Sequence, residues 1–200
     1  MTGPTGSVAI IVFYGVMLCW LLFAAVFFFR SRPPKPTERQ RDSNSIAGIV
    51  VAATGFALVW SVRRPWGSPF LNGQIVLEVV IGCLTLAIAA LSVLLVHASV
   101  KRLGKQWSLT AKLVEEHEFV TDGPYAVVRH PIYTGMLGMM LATGVANSQW
   151  YVVAPAMFLG WVGTMIRVRS EEKLLREKFG DAFLRYAERV PALIPFRLRP

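Results

Sequence analysis

The sequence predicts an all-α, polytopic membrane protein with five transmembrane helices, the last two forming a tight hairpin, followed by an amphipathic cytoplasmic helix. Three observations predict this fold class. Hydrophobic residues make up 54% of the chain and charged residues only 16%, with a mean hydropathy of +0.48, which is typical of membrane proteins. Five apolar runs approach the length of about 17–25 residues that crosses a bilayer. Lys and Arg collect in alternate connecting segments.

The five apolar runs define the predicted transmembrane helices. They are residues 8–29, 46–62, 74–96, 131–146 and 151–166. The first has no basic region before it and no small-residue cleavage site after it, so we interpret it as an anchor and not a signal peptide. The third contains one acid, Glu78, which we expect to be interfacial and solvated because it lies close to the preceding loop. The last two are separated only by residues 147–150, which predicts a helical hairpin.

The distribution of Lys and Arg predicts the orientation in the membrane. If the N-terminus is outside, the inside segments 30–45, 97–130 and 167–200 hold 5, 5 and 9 basic residues, and the outside segments hold only Arg63 and Arg64. Cytoplasmic loops collect basic residues, so the C-terminus is expected in the cytoplasm. The formal net charge of +9 then faces the anionic leaflet. Because the sequence has no groove-reading motif, we expect no nucleic-acid partner.

Residues 117–135, HEFVTDGPYAVVRHPIYTG, form the predicted centre of the functional site. Gly123-Pro124-Tyr125 is a turn signal, and Arg129-His130-Pro131 puts polar residues and a helix-starting proline at the membrane border. At this depth a bilayer tolerates polar, irregular backbone only where it lines a cavity or is buried in protein. Before this stretch, residues 97–107 interleave basic and apolar side chains, which predicts an amphipathic piece in the membrane interface.

The C-terminal segment is predicted to be an amphipathic helix over residues 167–190, continuing from the fifth span. Its apolar residues recur at steps of three and four, at Leu175, Phe179, Phe183, Tyr186 and Val190. At its start, Arg167 and Glu171 are spaced i,i+4 and share one face. On a helix surface such a pair contributes only about 0.2–0.5 kcal/mol. Because Arg167 directly follows the apolar run, we expect it to serve function.

Two motifs together resemble the isoprenylcysteine carboxyl methyltransferase family of integral membrane enzymes. They are GPYAVVRHPIYTG, from Gly123, and EEKLLREKFGDAFLRYAERVPALIP, from Glu171. The resemblance covers roughly residues 100–196, about half the chain. It implies that residues 97–200 are a methyltransferase core, with a cofactor segment at residues 97–130. Residues 1–96 are an N-terminal three-span region, of which the first two spans match only in hydrophobicity.

The resemblance also implies the cofactor, S-adenosylmethionine, and the residues that bind it. The implied cofactor contacts are His117, Glu118, Phe119, Val120, Tyr125, His130, Pro131, Ile132, Tyr133 and Glu171. Arg167 would hold the substrate carboxylate, with Arg169 as the fallback, and Thr110 is a weaker cofactor candidate. The expected acceptor is a lipophilic small molecule or a lipidated group among membrane lipids, with no metal and no obligate protein partner. Cys19 and Cys83 are expected to be packing residues.

The chemistry of methyl transfer to a carboxylate suits this set of residues. A carboxylate with a pKa of about 4 is already ionised at neutral pH, so it needs position and loss of water, and no general base. Three other functions stay open: a phospholipid N-methyltransferase, an NADPH-dependent sterol reductase, and a non-catalytic membrane subunit or small transporter. Sterol reductases typically have Asn and Asp where this sequence has Ile132 and Met136.

Overall fold

The computed structural model describes residues 3–28, 44–71, 73–104 and 119–195. These residues form α-helices joined by turns, with a short 3-10 helix at Gly123–Ala126 and no β-strand within the described ranges. The α-helices are α1 (Pro4–Phe28), α2 (Asn44–Ser61), α3 (Ile75–Leu103), α4 (Pro131–Asn147), α5 (Trp150–Phe179) and α6 (Asp181–Arg189). Among them, α1, α3 and α5 are each long and apolar enough to cross a membrane.

Helix α4 lies at the centre of the arrangement, in contact with α1, α2, α3 and α5. Helix α2 packs along α5, and α1 packs along α3. Glycines permit the first contact: a Cβ added at Gly163 of α5 would lie 2.6 Å from the carbonyl oxygen of Gly48 in α2. Small residues let helix backbones approach in this way, and the gain is close van der Waals packing.

The glycines of α4 serve the packing of helices. A Cβ at Gly135 would collide with Val96, and one at Gly138 would collide with Ser92, both on α3. A Cβ at Gly144 would meet Val153 of α5 at 3.3 Å. The space beside these glycines is therefore filled by the neighbouring helices α3 and α5.

Glu78, near the start of α3, is completely buried, with 0% of its surface exposed. Its carboxylate accepts hydrogen bonds from the backbone N–H groups of Phe70 (2.6 Å) and Leu71 (3.0 Å). The expectation of a solvated, interfacial glutamate was therefore wrong. The α2–α3 loop folds over the start of α3, and the buried N–H of Phe70 needs an acceptor, which Glu78 supplies.

The α2–α3 loop also contacts the C-terminal end of α4. Arg64 Nη2 donates to the carbonyl oxygens of Val145 (2.7 Å) and Ala146 (3.1 Å), in the last turn of α4. A cation at a helix C-terminus satisfies free carbonyls and is favoured by the helix dipole. Antiparallel bridging between Arg63 and Ser148 adds a second link. The α2–α3 and α4–α5 connections therefore meet at one end of the molecule.

Two helices extend beyond the sequence prediction. Residues 97–103 continue α3 instead of forming a separate interfacial piece, and residues 105–107 lie outside the described ranges. Helix α5 runs unbroken from the predicted fifth span to Phe179. Gly180, with φ of +51°, then ends it, so the single helix expected over residues 167–190 is divided into the end of α5 and α6. A positive φ is the conformation that glycine adopts without steric cost.

Candidate functional site

A cluster of charged and aromatic side chains lies where α4 begins against the middle of α5. His130 precedes α4, and its buried ring lies between two adjacent carboxylates of α5. Nδ1 is 3.5 Å from Glu171 Oε2, and Nε2 is 3.1 Å from Glu172 Oε1. Pro131 occupies the first position of α4, where its missing N–H costs nothing. The Arg-His-Pro sequence therefore places His130 at the helix entrance, facing α5.

Tyr133, one turn into α4, connects the histidine to the rest of the cluster. Its ring is nearly parallel to that of His130, with centroids 5.8 Å apart and an interplanar angle of 17°. Its hydroxyl donates a hydrogen bond to Glu171. The guanidinium carbon of Arg167 lies 4.9 Å from the Tyr133 ring centroid, within the range of a cation–π interaction. Arg167 is 9% exposed, so it is not a surface residue.

Arg129 holds this cluster in place through hydrogen bonds to two other segments. Its Nε and Nη2 atoms each lie 2.8 Å from Glu172 Oε1, and its Nη1 donates to the carbonyl oxygens of Ala187 (3.0 Å) and Val190. Charged hydrogen bonds of this kind are about twice as strong as neutral ones. Arg129 therefore joins the entrance of α4 to both α5 and the end of α6.

Backbone hydrogen bonds bring the segment after α6 to the same place. The N–H groups of Arg129 and His130 donate to the carbonyl oxygens of Pro191 (2.8 Å) and Ala192 (2.9 Å). Thr134 Oγ1 donates to the carbonyl oxygen of Leu193 at 2.7 Å. The residues after α6 therefore lie along the start of α4 and are hydrogen-bonded to it.

Tyr125, in the 3-10 helix, adds a buried hydroxyl to the site. Its Oη has no hydrogen-bond partner among the described residues. Burial raises the pKa of this phenol, and the charge of Glu171 raises it further. The backbone carbonyl oxygen of Tyr125 accepts a hydrogen bond from Tyr186 Oη at 2.6 Å. Buried hydroxyls are nearly always paired, so the Tyr125 hydroxyl is suited to a bound polar ligand.

The charges around His130 change its titration. Burial of the ring lowers its pKa, but hydrogen bonds to Glu171 and Glu172 and the charges of both acids raise it, and the net direction is upward. Two carboxylates favour the imidazolium, which is a donor at both ring nitrogens. The two carboxylates therefore favour the cationic form of His130.

The structure brings together five of the residues predicted for the site. They are Tyr125, His130, Tyr133, Arg167 and Glu171. Arg169, the fallback for Arg167, is exposed. His117, Glu118 and Thr110 lie outside the described residues.

The other predicted cofactor residues lie around this cluster. Phe119 stacks on Phe179 at the end of α5, with centroids 4.8 Å apart. Val120 is buried, and Pro131 begins α4. Ile132 packs against the hydrophobic core that includes side chains of α1 and α3. It therefore contributes to a different surface of α4 from Tyr133.

Two charged residues of the cluster were not assigned a role from the sequence, Arg129 and Glu172. Both were visible in the motifs, as the residue before His130 and as the second of two adjacent glutamates. Arg129 pairs with Glu172 of α5 and with backbone carbonyl oxygens near the end of α6, all of them distant in the sequence. Sequence spacing gives no signal for these long-range contacts.

Comparison with known proteins identifies the family. The family model for phospholipid methyltransferases matches residues 77–182, which is just over half of the chain. The chain is 34% identical over 82 residues to protein-S-isoprenylcysteine O-methyltransferase B of Arabidopsis thaliana, covering 41% of this chain and 42% of that protein. It is 33% identical over 87 residues to the Schizosaccharomyces pombe protein-S-isoprenylcysteine O-methyltransferase, covering 44% and 37%. The chain thus spans about two fifths of the length of the curated relatives it matches.

A third relative matches over more of the chain. Methanethiol S-methyltransferase of a Pseudomonas strain is 25% identical over 174 residues, covering 81% of this chain and 62% of that protein. Among solved structures, the eukaryotic intramembrane Ras methyltransferase, an isoprenylcysteine carboxyl methyltransferase, matches with a TM-score of 0.57 and 19% identity. That match covers 78% of this chain and 54% of the other, and it shows a shared fold.

These comparisons confirm the resemblance drawn from the two sequence motifs. The apolar helices and the shared intramembrane fold make the chain an integral membrane protein. The matched region, residues 77–182, includes α4 and α5 and therefore the polar cluster at the entrance of α4. On the extent of that match, this chain belongs to the phospholipid methyltransferase family.

Proposed function

We propose that this protein is a membrane methyltransferase that uses S-adenosylmethionine and methylates a lipophilic acceptor carrying a carboxylate, such as an isoprenylcysteine-type group. The observation that carries the proposal is the arrangement of buried Arg167 and Tyr133 with the partly exposed Glu171. It places a cation suited to an anionic acceptor one helical turn from an anion suited to a cationic donor. The relatives named as isoprenylcysteine O-methyltransferases support the same reaction.

The described residues fit the proposed cofactor. Tyr125 offers a buried hydroxyl that has no hydrogen-bond partner among the described residues, and Glu171 offers a partly exposed carboxylate beside it. Tyr125, His130, Tyr133 and Glu171 would hold the cofactor, together with the predicted residues His117 and Glu118. When bound, S-adenosylmethionine supplies a methyl group on a positively charged sulfur. The negative charge of Glu171 stabilises positive charge at this site. The hydrogen bond that it accepts from the Tyr133 hydroxyl fixes the position of the carboxylate.

Arg167 would bind the acceptor. Its planar guanidinium presents two parallel N–H donors, which match a carboxylate in a bidentate pair. Burial between helices removes competing water, and the Tyr133 ring restricts the guanidinium. Because an ionised carboxylate needs no base, alignment is the main requirement, and alignment alone lowers such barriers by about 7–11 kcal/mol.

A thiolate is a second candidate acceptor. The observation in its favour is the Pseudomonas methanethiol S-methyltransferase, which matches 81% of this chain. A thiol, with an ordinary pKa of about 8.5, must first lose a proton. Arg167 would favour the thiolate by its charge, so the same site serves either anion. The two acceptors differ in pH dependence, since only the thiol ionises near neutral pH.

We propose five spans with the N-terminus outside and the C-terminus in the cytoplasm. Helix α2 has 18 residues and α4 has 17, which at about 1.5 Å per residue is close to the thickness of the hydrocarbon core. The two residues between α4 and α5 support a tight hairpin. In this arrangement the Arg167 site lies at the cytoplasmic side, within reach of lipidated acceptors in the inner leaflet.

Purified protein in detergent tests the proposal directly. It is incubated with methyl-labelled S-adenosylmethionine and, separately, a prenylcysteine, a free isoprenoid acid, an amine-bearing phospholipid and a small thiol. We expect label in the carboxylate acceptors, and label in the thiol alone would select the second candidate. Calorimetry should show binding of S-adenosylhomocysteine in preference to NADPH. Binding of NADPH alone would refute the proposal in favour of a reductase.

A further inference from the structure

Helix α2 lies outside the region matched by the family model, residues 77–182, yet it packs along α5 beside the site. We propose that Gly48 of α2 is a positioning residue that sets the place of the Arg167 side chain and thereby the alignment of the acceptor. This inference rests on the proposed function, in which Arg167 binds the acceptor anion. It adds α2 to the elements that build the acceptor site.

The contact is made by the stem of Arg167. A Cβ added at Gly48 would lie 2.7 Å from Arg167 Cγ, 3.2 Å from Arg167 N and 2.7 Å from the carbonyl oxygen of Gly163. Real Cβ atoms do not approach other heavy atoms to 2.7 Å. The Gly48 backbone therefore covers the first methylenes of Arg167 and leaves no room for a methyl group.

The guanidinium group of Arg167 contacts a different helix from its methylenes. Its guanidinium carbon lies 4.9 Å from the centroid of the Tyr133 ring, on α4. The side chain is thus held by α2 at its stem and by α4 at its charged end. Because close-packed interiors transmit small displacements, a methyl group at residue 48 would move the stem and with it the guanidinium. Anion binding depends on that position, since misplacement by about 1 Å can cost 10²-fold in rate.

Gly55 provides a matched control on the same helix. It lies two turns after Gly48 and therefore on the same face. A Cβ there would lie 2.7 Å from the carbonyl oxygen of Ala156 and 3.1 Å from the Gly160 nitrogen, both on α5. The steric conflict with the α5 backbone is comparable, but the atoms that it meets do not include Arg167. Differences between Gly48→Ala and Gly55→Ala therefore report on Arg167 and not on general α2–α5 packing.

The experiment measures thermal unfolding, S-adenosylhomocysteine binding and acceptor kinetics of Gly48→Ala and Gly55→Ala in detergent. We expect both variants to unfold at lower temperature and to bind S-adenosylhomocysteine within about twofold of the unmodified protein. Gly48→Ala should lower kcat/KM for the acceptor by about tenfold or more relative to Gly55→Ala. Equal losses in the two variants, with an active unmodified protein, would overturn this inference alone. An unmodified protein inactive on every acceptor would overturn the proposed function and this inference with it.

A thermal double-mutant cycle tests the same contact without activity. In an Arg167→Ala background the Cγ atom is absent, so Gly48→Ala should lower the unfolding temperature less than it does beside Arg167. Gly55→Ala should have the same effect in both backgrounds. If Gly48→Ala alone does not fold, recovery of folded protein in the Arg167→Ala background supports the contact. Failure to recover it, or equal shifts for both glycines, would refute the inference.

Discussion

Arg167 of α5 lies against the face of the Tyr133 ring of α4, with its guanidinium carbon 4.9 Å from the ring centroid. The hydroxyl at the other end of the same tyrosine donates to Glu171, one turn further along α5. A single aromatic side chain thus lies in contact with both a buried cation and a carboxylate of opposite charge. In the proposed reaction these two charges face different substrates, so their effects should be separable by mutation.

Replacing Arg167 should abolish transfer and spare the cofactor. Loss of a buried charged hydrogen bond costs about 2–5 kcal/mol, so Arg167→Ala should lower kcat/KM for the acceptor at least about thirty-fold while S-adenosylhomocysteine still binds. Arg167→Lys should recover little activity, because an ammonium lacks the planar fork. Arg169→Ala, at an exposed position of the same helix, is the control. Unchanged kinetics in Arg167→Ala would place the acceptor site elsewhere.

Replacing Glu171 should act first on the cofactor. Glu171→Gln keeps the size of the side chain and removes the charge that faces His130 and a cationic ligand. We expect calorimetry to show weaker S-adenosylhomocysteine binding by about tenfold or more, since hydrogen bonds to charged groups contribute about 1.5–3 kcal/mol. Glu177→Gln, at an exposed position further along α5, should leave binding unchanged. A larger effect on acceptor KM than on cofactor binding would contradict this assignment.

Local sequence patterns predicted the parts of the site that depend on local structure. The i,i+4 spacing of Arg167 and Glu171 places both on one face of α5, and the proline after His130 marks the entrance of α4. Both follow from helix geometry alone. The place of Arg167 directly after an apolar run led us to expect a functional role, and the structure shows that its side chain is buried.

Contacts between distant segments could not be predicted in the same way. Glu78 is buried because the preceding loop folds over the start of α3, and no periodicity in the sequence encodes that path. The role of Arg129 depends on the segment after α6 returning to α4. Gly180 was visible within the apolar stripe, but the stripe continues on both sides of it. The periodicity of the apolar residues therefore predicted one continuous helix and gave no signal for the end of α5.

Stability should fall as pH rises through the titration of His130. Its folded-state pKa lies above the ordinary value of about 6.5, so the charged ring stabilises the fold fully below pH of about 6.5. That contribution is lost as pH rises through the higher folded-state pKa. The charged groups that face the ring are Glu171 and Glu172, and Glu172 also forms an ion pair with Arg129.

The measurement is the unfolding temperature in detergent as a function of pH. We expect it to decrease from pH of about 6.5 upward in the unmodified protein and to change much less in His130→Gln. His97→Gln, at an exposed position of α3, is the control and should retain the full pH dependence. A stability that rises with pH over this range, or one unaffected by His130→Gln, would show that the imidazolium is not held between the two acids.

The orientation of the chain can be tested by cysteine labelling. With Cys19 and Cys83 replaced by Ala, single cysteines at Ser43 and Arg199 should react with an impermeant reagent from the cytoplasmic side. A cysteine at Trp66, an exposed residue of the α2–α3 loop, should react only from the opposite side. Five spans with the N-terminus outside require this pattern. Labelling of Ser43 and Arg199 from opposite sides would contradict it.

Removing the Glu78 carboxylate should destabilise the protein without changing the site. Glu78→Ala removes the acceptor of the N–H groups of Phe70, which is buried, and Leu71, and leaving a buried donor without a partner costs about 1–3 kcal/mol. Glu78→Gln retains one acceptor oxygen and should lose less. We therefore expect the unfolding temperature to follow the order unmodified, Gln, Ala, while S-adenosylhomocysteine binding and acceptor KM of the folded fraction stay constant. Because Arg64 joins this loop to the end of α4 far from His130, a change in acceptor KM in Glu78→Gln would instead show that the two ends of α4 are coupled.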